Sequence, residues 1–206
     1  MATASNEPAA RTRHWRSTAA TRKQILDAAA EVFAELGFRD ANVSEVVNRS
    51  GSSVGSIYHH FGGKTELFLA IWDDLQDALL ADAAQGVADA RAAGETDALA
   101  VFQGGAQGFF DGIWKRRNTA KIFFVGDVPP EFANTRRDRS QEWLRRNSTL
   151  LHLGKSARDR MQVGVYTSVI SEASQEIVQC RSRREARAII EAALDIVARL
   201  DPRQAR

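Results

Sequence analysis

Apolar residues recur at steps of three and four along almost the whole chain while strand-like alternation is scarce, so the sequence predicts an all-α protein. Ile25, Ala29, Val32, Phe33 and Leu36 make one apolar face. Thr21 with Gln24 three residues later has the form of a capping box that would start this first helix, and Gly37 supplies its stop. Asn42 with Glu45 three on opens a short segment, Val43 to Arg49, that ends at Ser50-Gly51. A third segment runs from about Ser53 to His60 and halts at Gly62-Gly63. A fourth starts at Lys64 and carries Leu67, Phe68, Ile71, Leu75 and Leu79 at helical spacing.

The segment from about Asp97 to Arg117 is apolar at Leu99, Phe102, Ala106, Phe109, Phe110, Ile113 and Trp114. Gly104, Gly105, Gly108 and Gly112 within it each cost about 1 kcal/mol of helix propensity against alanine. They imply a close helix contact, a kink, or space left for something else. Pro129-Pro130 breaks the chain, and a helix over about Glu131 to Leu153 is interrupted or finished by Gly154. Two long helices close the sequence. Val163, Tyr166, Ile170, Ala173, Ile177 and Cys180 form one stripe, and after a Ser182/Glu185 capping box Ala186, Ile190, Ala193, Val197 and Leu200 form another. Such neighbours favour an antiparallel pair. Val165, Val169, Ile189 and Ile196 widen the apolar face beyond one seam, which predicts a second packing partner for the hairpin.

Composition adds bounds. The length of 206 residues leaves one large domain, or a small one joined to a medium one, and 44% hydrophobic with 26% charged residues is globular composition. A single cysteine, Cys180, excludes an intramolecular disulfide and any zinc site needing several thiolates. The polar N-terminus has no signal-peptide core, and the longest aliphatic or aromatic run, Ile122 to Val125, is far short of a membrane span. No membrane partner and a cytoplasmic location are therefore expected.

The net charge of +2 sums unlike segments. Through residue 24 five bases stand against Glu7, a net of +4; residues 66 to 111 hold nine acids against Arg91, a net of −8; residues 115 to 146 hold nine bases against four acids, a net of +5. The latter two read first as solvated faces that pair with each other. The basic arm, residues 1–18, is either a flexible tail or a phosphate- or minor-groove-binding element.

Residues 43–61 have the form of a helix-turn-helix, with Gly51 where the turn needs a positive φ. Ile57 and Phe61 would face the domain's own core. Ser53, Val54, Gly55, Ser56, Tyr58 and His59 are then free to face outward, with Lys64 beside them. The run Gly55-Ser56-Ile57-Tyr58-His59-His60-Phe61, followed by Lys64 and Leu67 and preceded by Gly37-Phe38 and Gly51, resembles the DNA-binding domain of tetracycline-repressor-like (TetR-family) regulators over Thr21 to about Leu79. The resemblance implies a recognition helix, Ser53 to His60, in the major groove of double-stranded operator DNA. It implies that Tyr58 and Lys64 grip phosphates and that Ser44, Val54, Gly55 and His59 lie near bases or backbone. Asn42, Val47, Ser50 and Ser52 depart from the usual residues, and Ser52 loosens the packing of the turn.

On this reading residues 19–79 are the DNA-binding domain and residues 80–206 a helical bundle for ligand binding and dimerisation. The aromatic residues Phe102, Phe109, Phe110, Trp114, Phe123, Phe124, Trp143 and Tyr166 are either plain core or, as the resemblance implies, the lining of a cavity for an unknown small-molecule effector. His152 and Arg136, Arg137 and Arg139 are candidates to anchor a polar or anionic group on that effector. The resemblance also implies a homodimer through a four-helix bundle, with Tyr166, Ile170, Ala173, Ile177, Ile190, Ala193 and Val197 at the interface. Effector binding would then shift the fourth helix and release a repressor from a palindromic operator, effector and DNA opposing each other reciprocally.

Two alternatives stay open: a redox-responsive regulator acting through Cys180, and a helical interaction module without effector. Four scattered histidines and no nucleophile or metal motif argue against an enzyme, and neither a cofactor nor a metal is expected.

Overall fold

Helix caps and glycine stops divide the chain much as its pattern requires. The structure, a computed structural model, describes the backbone of residues 7–201 and the side chains of residues 19–201. Its elements are α1 (Glu7–Asp40), α2 (Val43–Ser50), α3 (Val54–Phe61), α4 (Lys64–Ala92), α5 (Ala98–Lys115), α6 (Arg117–Phe124), α7 (Phe132–Leu150), α8 (Ala157–Gln179) and α9 (Arg183–Arg199), with no strand among the described residues. Two compact units divide between Ile71 and Trp72, inside α4.

The first helix begins earlier than the capping pattern indicated. Thr21 lies within α1, because Pro8 falls in the first turn, where its missing N–H leaves no hydrogen bond unmade, and nothing from Ala9 onward breaks the helix before Gly37. Gly37 adopts φ 75°, ψ 171°, a combination open essentially to glycine alone, and ends the regular helix before the Phe38–Asp40 turn. Of the expected basic arm, residues 1–6 and the side chains of Arg11, Arg13 and Arg16 lie outside the described residues.

In the first unit Ile25, Ala29, Val32, Phe33, Val46, Ile57, Leu67 and Phe68 are buried. The rings of Phe33, Phe38 and Phe68 lie 5.2–5.9 Å apart, near the favoured spacing for aromatic pairs. Polar ties hold α2 onto α1. Gln24 Nε2 donates to Ser50 O at 2.7 Å, and Arg49 bridges Glu35 (2.7 Å) and Glu45 (3.2 Å). The hydrogen bond from Arg49 holds the Glu35 carboxyl below its ordinary range.

In the second unit the expected antiparallel hairpin is α8 and α9. Ser156 and Asp159 form a reciprocal capping box on α8, and Ser182 caps α9 by accepting from Glu185 N at 3.2 Å. The glycines of α5 resolve to the first of their three readings. A Cβ on Gly108 would lie 2.3 Å from Asp82 O, and one on Gly104 would lie 2.9 Å from Ala90 Cβ, so this face of α5 is pressed against α4. The expected helix to Arg117 ends at Lys115, and the apolar run Ile122–Val125 belongs mostly to a separate α6. The α7 helix stops at Leu150, short of Gly154, where His152 takes φ 53°.

One expectation is corrected by burial. Tyr166, Ala173, Ile177, Ile190, Ala193 and Val197, assigned to the dimer interface, are buried within the single chain, and Ile170 is half-buried beside the cavity described below. Their stripes are the seam along which α8, α9 and α5 pack, so the six buried side chains offer a partner almost no surface and only Ile170 keeps part of its own.

Candidate nucleic-acid interface and ligand cavity

Two caps and a left-handed glycine set the geometry of the helix-turn-helix. Asn42 Oδ1 accepts from Glu45 N at 2.9 Å and starts α2; Gly51, at φ 63°, ends it while its N–H donates to Val47 O. Ser53 Oγ accepts from Ser56 N at 3.1 Å and starts α3. With only eight residues, α3 uses Ile57 as its buried anchor and leaves Val54, Gly55, Tyr58 and His59 exposed, Tyr58 at 54%. Ser44 on α2 and Ser53 are exposed too, whereas Ser56 is half-buried. Phe61, expected in the core with Ile57, is half-buried and carries the Arg22 guanidinium 5.1 Å from its ring centre.

Gly55 has no reason within the fold to be glycine. A Cβ there would meet only Ser53 Oγ, at 3.9 Å, and the helix would gain propensity. Its bareness leaves the exposed face of α3 open to close approach. Lys64, in contrast, is already engaged: its Nζ donates to Arg39 O at 3.0 Å and sits 4.6 Å from the centre of the Phe38 ring. It caps the turn after Gly37 and retains donors for a further acceptor.

The cavity lies wholly in the second unit and measures about 970 Å³. Of the eight aromatics expected to line it, Phe102, Phe109, Phe124 and Trp143 do. The other four do not. Phe110 is fully buried, Phe123 packs with Trp72 and Phe132, Trp114 is covered by Arg117, and Tyr166 donates its hydroxyl to Leu200 O at 3.3 Å in the α5–α8–α9 core. Helical spacing identifies them as aromatic but not the wall on which each stands.

Residues missed at the sequence level complete the lining. Leu80, Ala83 and Val87 come from α4, and Thr167, Ser171 and Gln175 from a polar stripe of α8 that runs between its apolar positions at steps of four. Asn147 Nδ2 donates to Thr167 Oγ1 at 3.1 Å, and Trp143 Nε1 donates to the buried Gln76 Oε1 at 3.1 Å. Arg136, Arg139 and His152 line the cavity as anticipated; Arg137 does not. Burial of the Arg139 guanidinium works against its charge, but the hydrogen bond to Asp73 and the fields of Asp73, Asp77 and Glu142 outweigh it and hold its pKa above the ordinary value.

Among the described residues no group of three or more His, Cys, Asp or Glu side chains gathers to hold a metal ion, and no helix is long and apolar enough to cross a membrane.

Residues 25–71 match the family described as bacterial regulatory proteins, tetR family. FasR of Mycolicibacterium smegmatis, an HTH-type transcriptional activator, is 31% identical over 110 residues, which are 53% of this chain and 48% of FasR. The HTH-type transcriptional repressor Rv1474c of Mycobacterium tuberculosis is 47% identical over 53 residues, 26% of this chain and 28% of its own length. The matched region thus spans less than half of these curated relatives. Among solved structures, the fatty acid degradation regulator FadR of Bacillus halodurans superposes with a TM-score of 0.66 at 18% identity, covering 85% of this chain and 96% of FadR. NalD, the secondary repressor of the MexAB-OprM multidrug efflux pump of Pseudomonas aeruginosa, superposes at 0.67 with 16% identity, covering 88% and 96%. These identities speak for the fold alone. The helix-turn-helix region is thus similar in sequence to the tetR family of bacterial regulatory proteins, and the nine-helix architecture of the described residues is similar in fold to these solved regulators.

Proposed function

We propose that this protein is a homodimeric transcriptional repressor that holds a palindromic operator through α3 and is released by a small molecule bound in the second unit. The observation that carries the reading is the exposed face of α3, where a bare Gly55 sits among Val54, Tyr58 and His59 on a helix anchored by Ile57 alone. A surface without protein neighbours to explain its glycine suits a groove wall. Tyr58 and Lys64 supply phosphate donors at its edge. Repression is favoured by the likeness of the helix-turn-helix to Rv1474c, a repressor.

The large apolar cavity supports an effector, since sites for small molecules are concave and mostly apolar with a few polar groups. Because α4 carries residues of both units, it is the element through which occupancy would reach the DNA-binding helices.

Fluorescence anisotropy with DNA from upstream of the protein's own gene tests the reading. Tyr58→Phe and Lys64→Ala should each weaken binding, and Lys64→Ala should also reduce the slope of log affinity against log salt by about one phosphate. Unchanged affinity in both would remove α3 from the interface.

A further inference from the structure

Among the described residues no acidic side chain lines the cavity, yet Arg91, Arg136, Arg139, Arg145 and Arg146 all do. Three carboxylates outside the lining hold part of this charge: Asp73 and Asp77 on Arg139, and Glu142 on Arg139 and Arg146. The arginines still outnumber them, five to three. Four of the five project from one helix, α7, whose Trp143 and Leu150 also face the cavity. That helix therefore presents an apolar wall and a guanidinium border together. Leu80, Ala83 and Val87 of α4 and Phe102 and Phe109 of α5 add apolar lining, and the polar stripe of α8 completes it.

A second observation points the same way. Trp72 lines the cavity, is 5% exposed, and its indole Nε1 has no acceptor among the described residues. A buried donor left without an acceptor is unfavourable, and an acceptor arriving with a ligand would relieve it.

We propose, building on the effector reading above, that the effector is an amphipathic anion: an apolar acyl or aromatic body seated against α4 and α5, with one anionic head held by the α7 arginines. A cationic or neutral amphiphile of the same body gains the apolar contacts and lacks the head-group pairing. Guanidinium forks pair with carboxylate and phosphate oxygens bidentately, so head-group charge rather than chain length sets the discrimination.

Titration calorimetry on the full chain with decanoate, 1-decanol and decyltrimethylammonium, all kept below micelle formation, tests this. Decanoate should bind about tenfold or more tighter than decanol, with the ammonium weakest. In the double variant Arg136→Gln/Arg145→Gln, both positions being exposed, decanoate should fall to within about threefold of decanol while decanol affinity stays the same, which also shows that the variant is folded. Ala84→Trp, at an exposed lining position, should abolish binding of all three. Decanol or the ammonium binding as tightly as decanoate, or a preference that survives the double variant, overturns the anionic head group and leaves the effector cavity standing. Binding that is indifferent to Ala84→Trp, or absent for every probe, overturns the cavity reading along with it.

Discussion

A Cβ added to Gly86 would lie 2.2 Å from the carbonyl oxygen of Gly104. Two helices that approach this closely need glycine on both, and here α4 and α5 each supply one. The obstacle is backbone, so no rotamer change relieves it.

Gly86→Ala should therefore destabilise the protein by about 1–3 kcal/mol in urea unfolding, the usual range for overpacking, despite alanine's better helix propensity. Gly55→Ala is the matched contrast. Its Cβ meets open space, so stability should hold or rise by up to about 1 kcal/mol while DNA affinity falls. A Gly86→Ala protein as stable as the parent would mean that the α4–α5 contact is looser than described.

Ser52 Oγ is buried in the turn between α2 and α3 without a hydrogen-bond partner, while its backbone N–H donates to Ser50 Oγ at 3.3 Å. Ser52→Ala keeps that backbone bond and removes the orphaned hydroxyl. The thermal midpoint should rise, corresponding to roughly 1 kcal/mol, with DNA affinity unchanged. A lower midpoint would show that the hydroxyl does find a partner.

Cys180 is buried at the end of α8, where its Sγ lies 3.4 Å from Glu176 O. Burial, reinforced by the charges of Glu185 and Glu176, pushes its pKa above the ordinary thiol value. The sign follows: a group whose pKa rises on folding contributes stability that is complete below the ordinary thiol pKa and is lost as pH climbs through the raised one. Thiolate absorbance near the far ultraviolet edge should appear at higher pH in the native protein than in the unfolded chain, and reaction with a disulfide reagent at neutral pH should be slow. Peroxide should leave DNA affinity alike in the parent and Cys180→Ser, an outcome against the redox alternative; a difference between them would revive it.

The homodimer proposed here needs a surface that the buried stripes do not provide. Val165 and Ile196 are exposed apolar residues on α8 and α9, Ile196 at 47%, and Met161 and Leu200 extend the patch. A Cβ at Gly164, beside Val165, would meet nothing within 4 Å. Val165→Arg and Ile196→Arg should yield folded monomers in sedimentation velocity. Ile177→Ala and Ile190→Ala should instead cost about 2–5 kcal/mol of stability, since both side chains are enclosed within the subunit. Dimers that persist in both arginine variants would place the interface elsewhere.

The local features were legible in the amino-acid order alone. Helical class, the Asn42 and Ser182 starts, the Gly51 turn and the anchoring role of Ile57 follow from periodicity and from hydrogen bonds that close within three or four residues. Thr21 misled because a capping pattern is permissive: it can start a helix but cannot end the one already running through it from Glu7.

What the tertiary structure decided depends on residues far apart in the chain. Whether a stripe on α8 faces its own subunit or a partner, whether Gly104 and Gly108 open a space or close one, and whether Phe109 or Phe110 turns to the cavity are settled by which helix lies opposite. Helical spacing records that a face is apolar. Only packing records what that face meets, and so the arginines of α7, read from the sequence as a charged run, became with Trp143 and Leu150 one wall of a cavity.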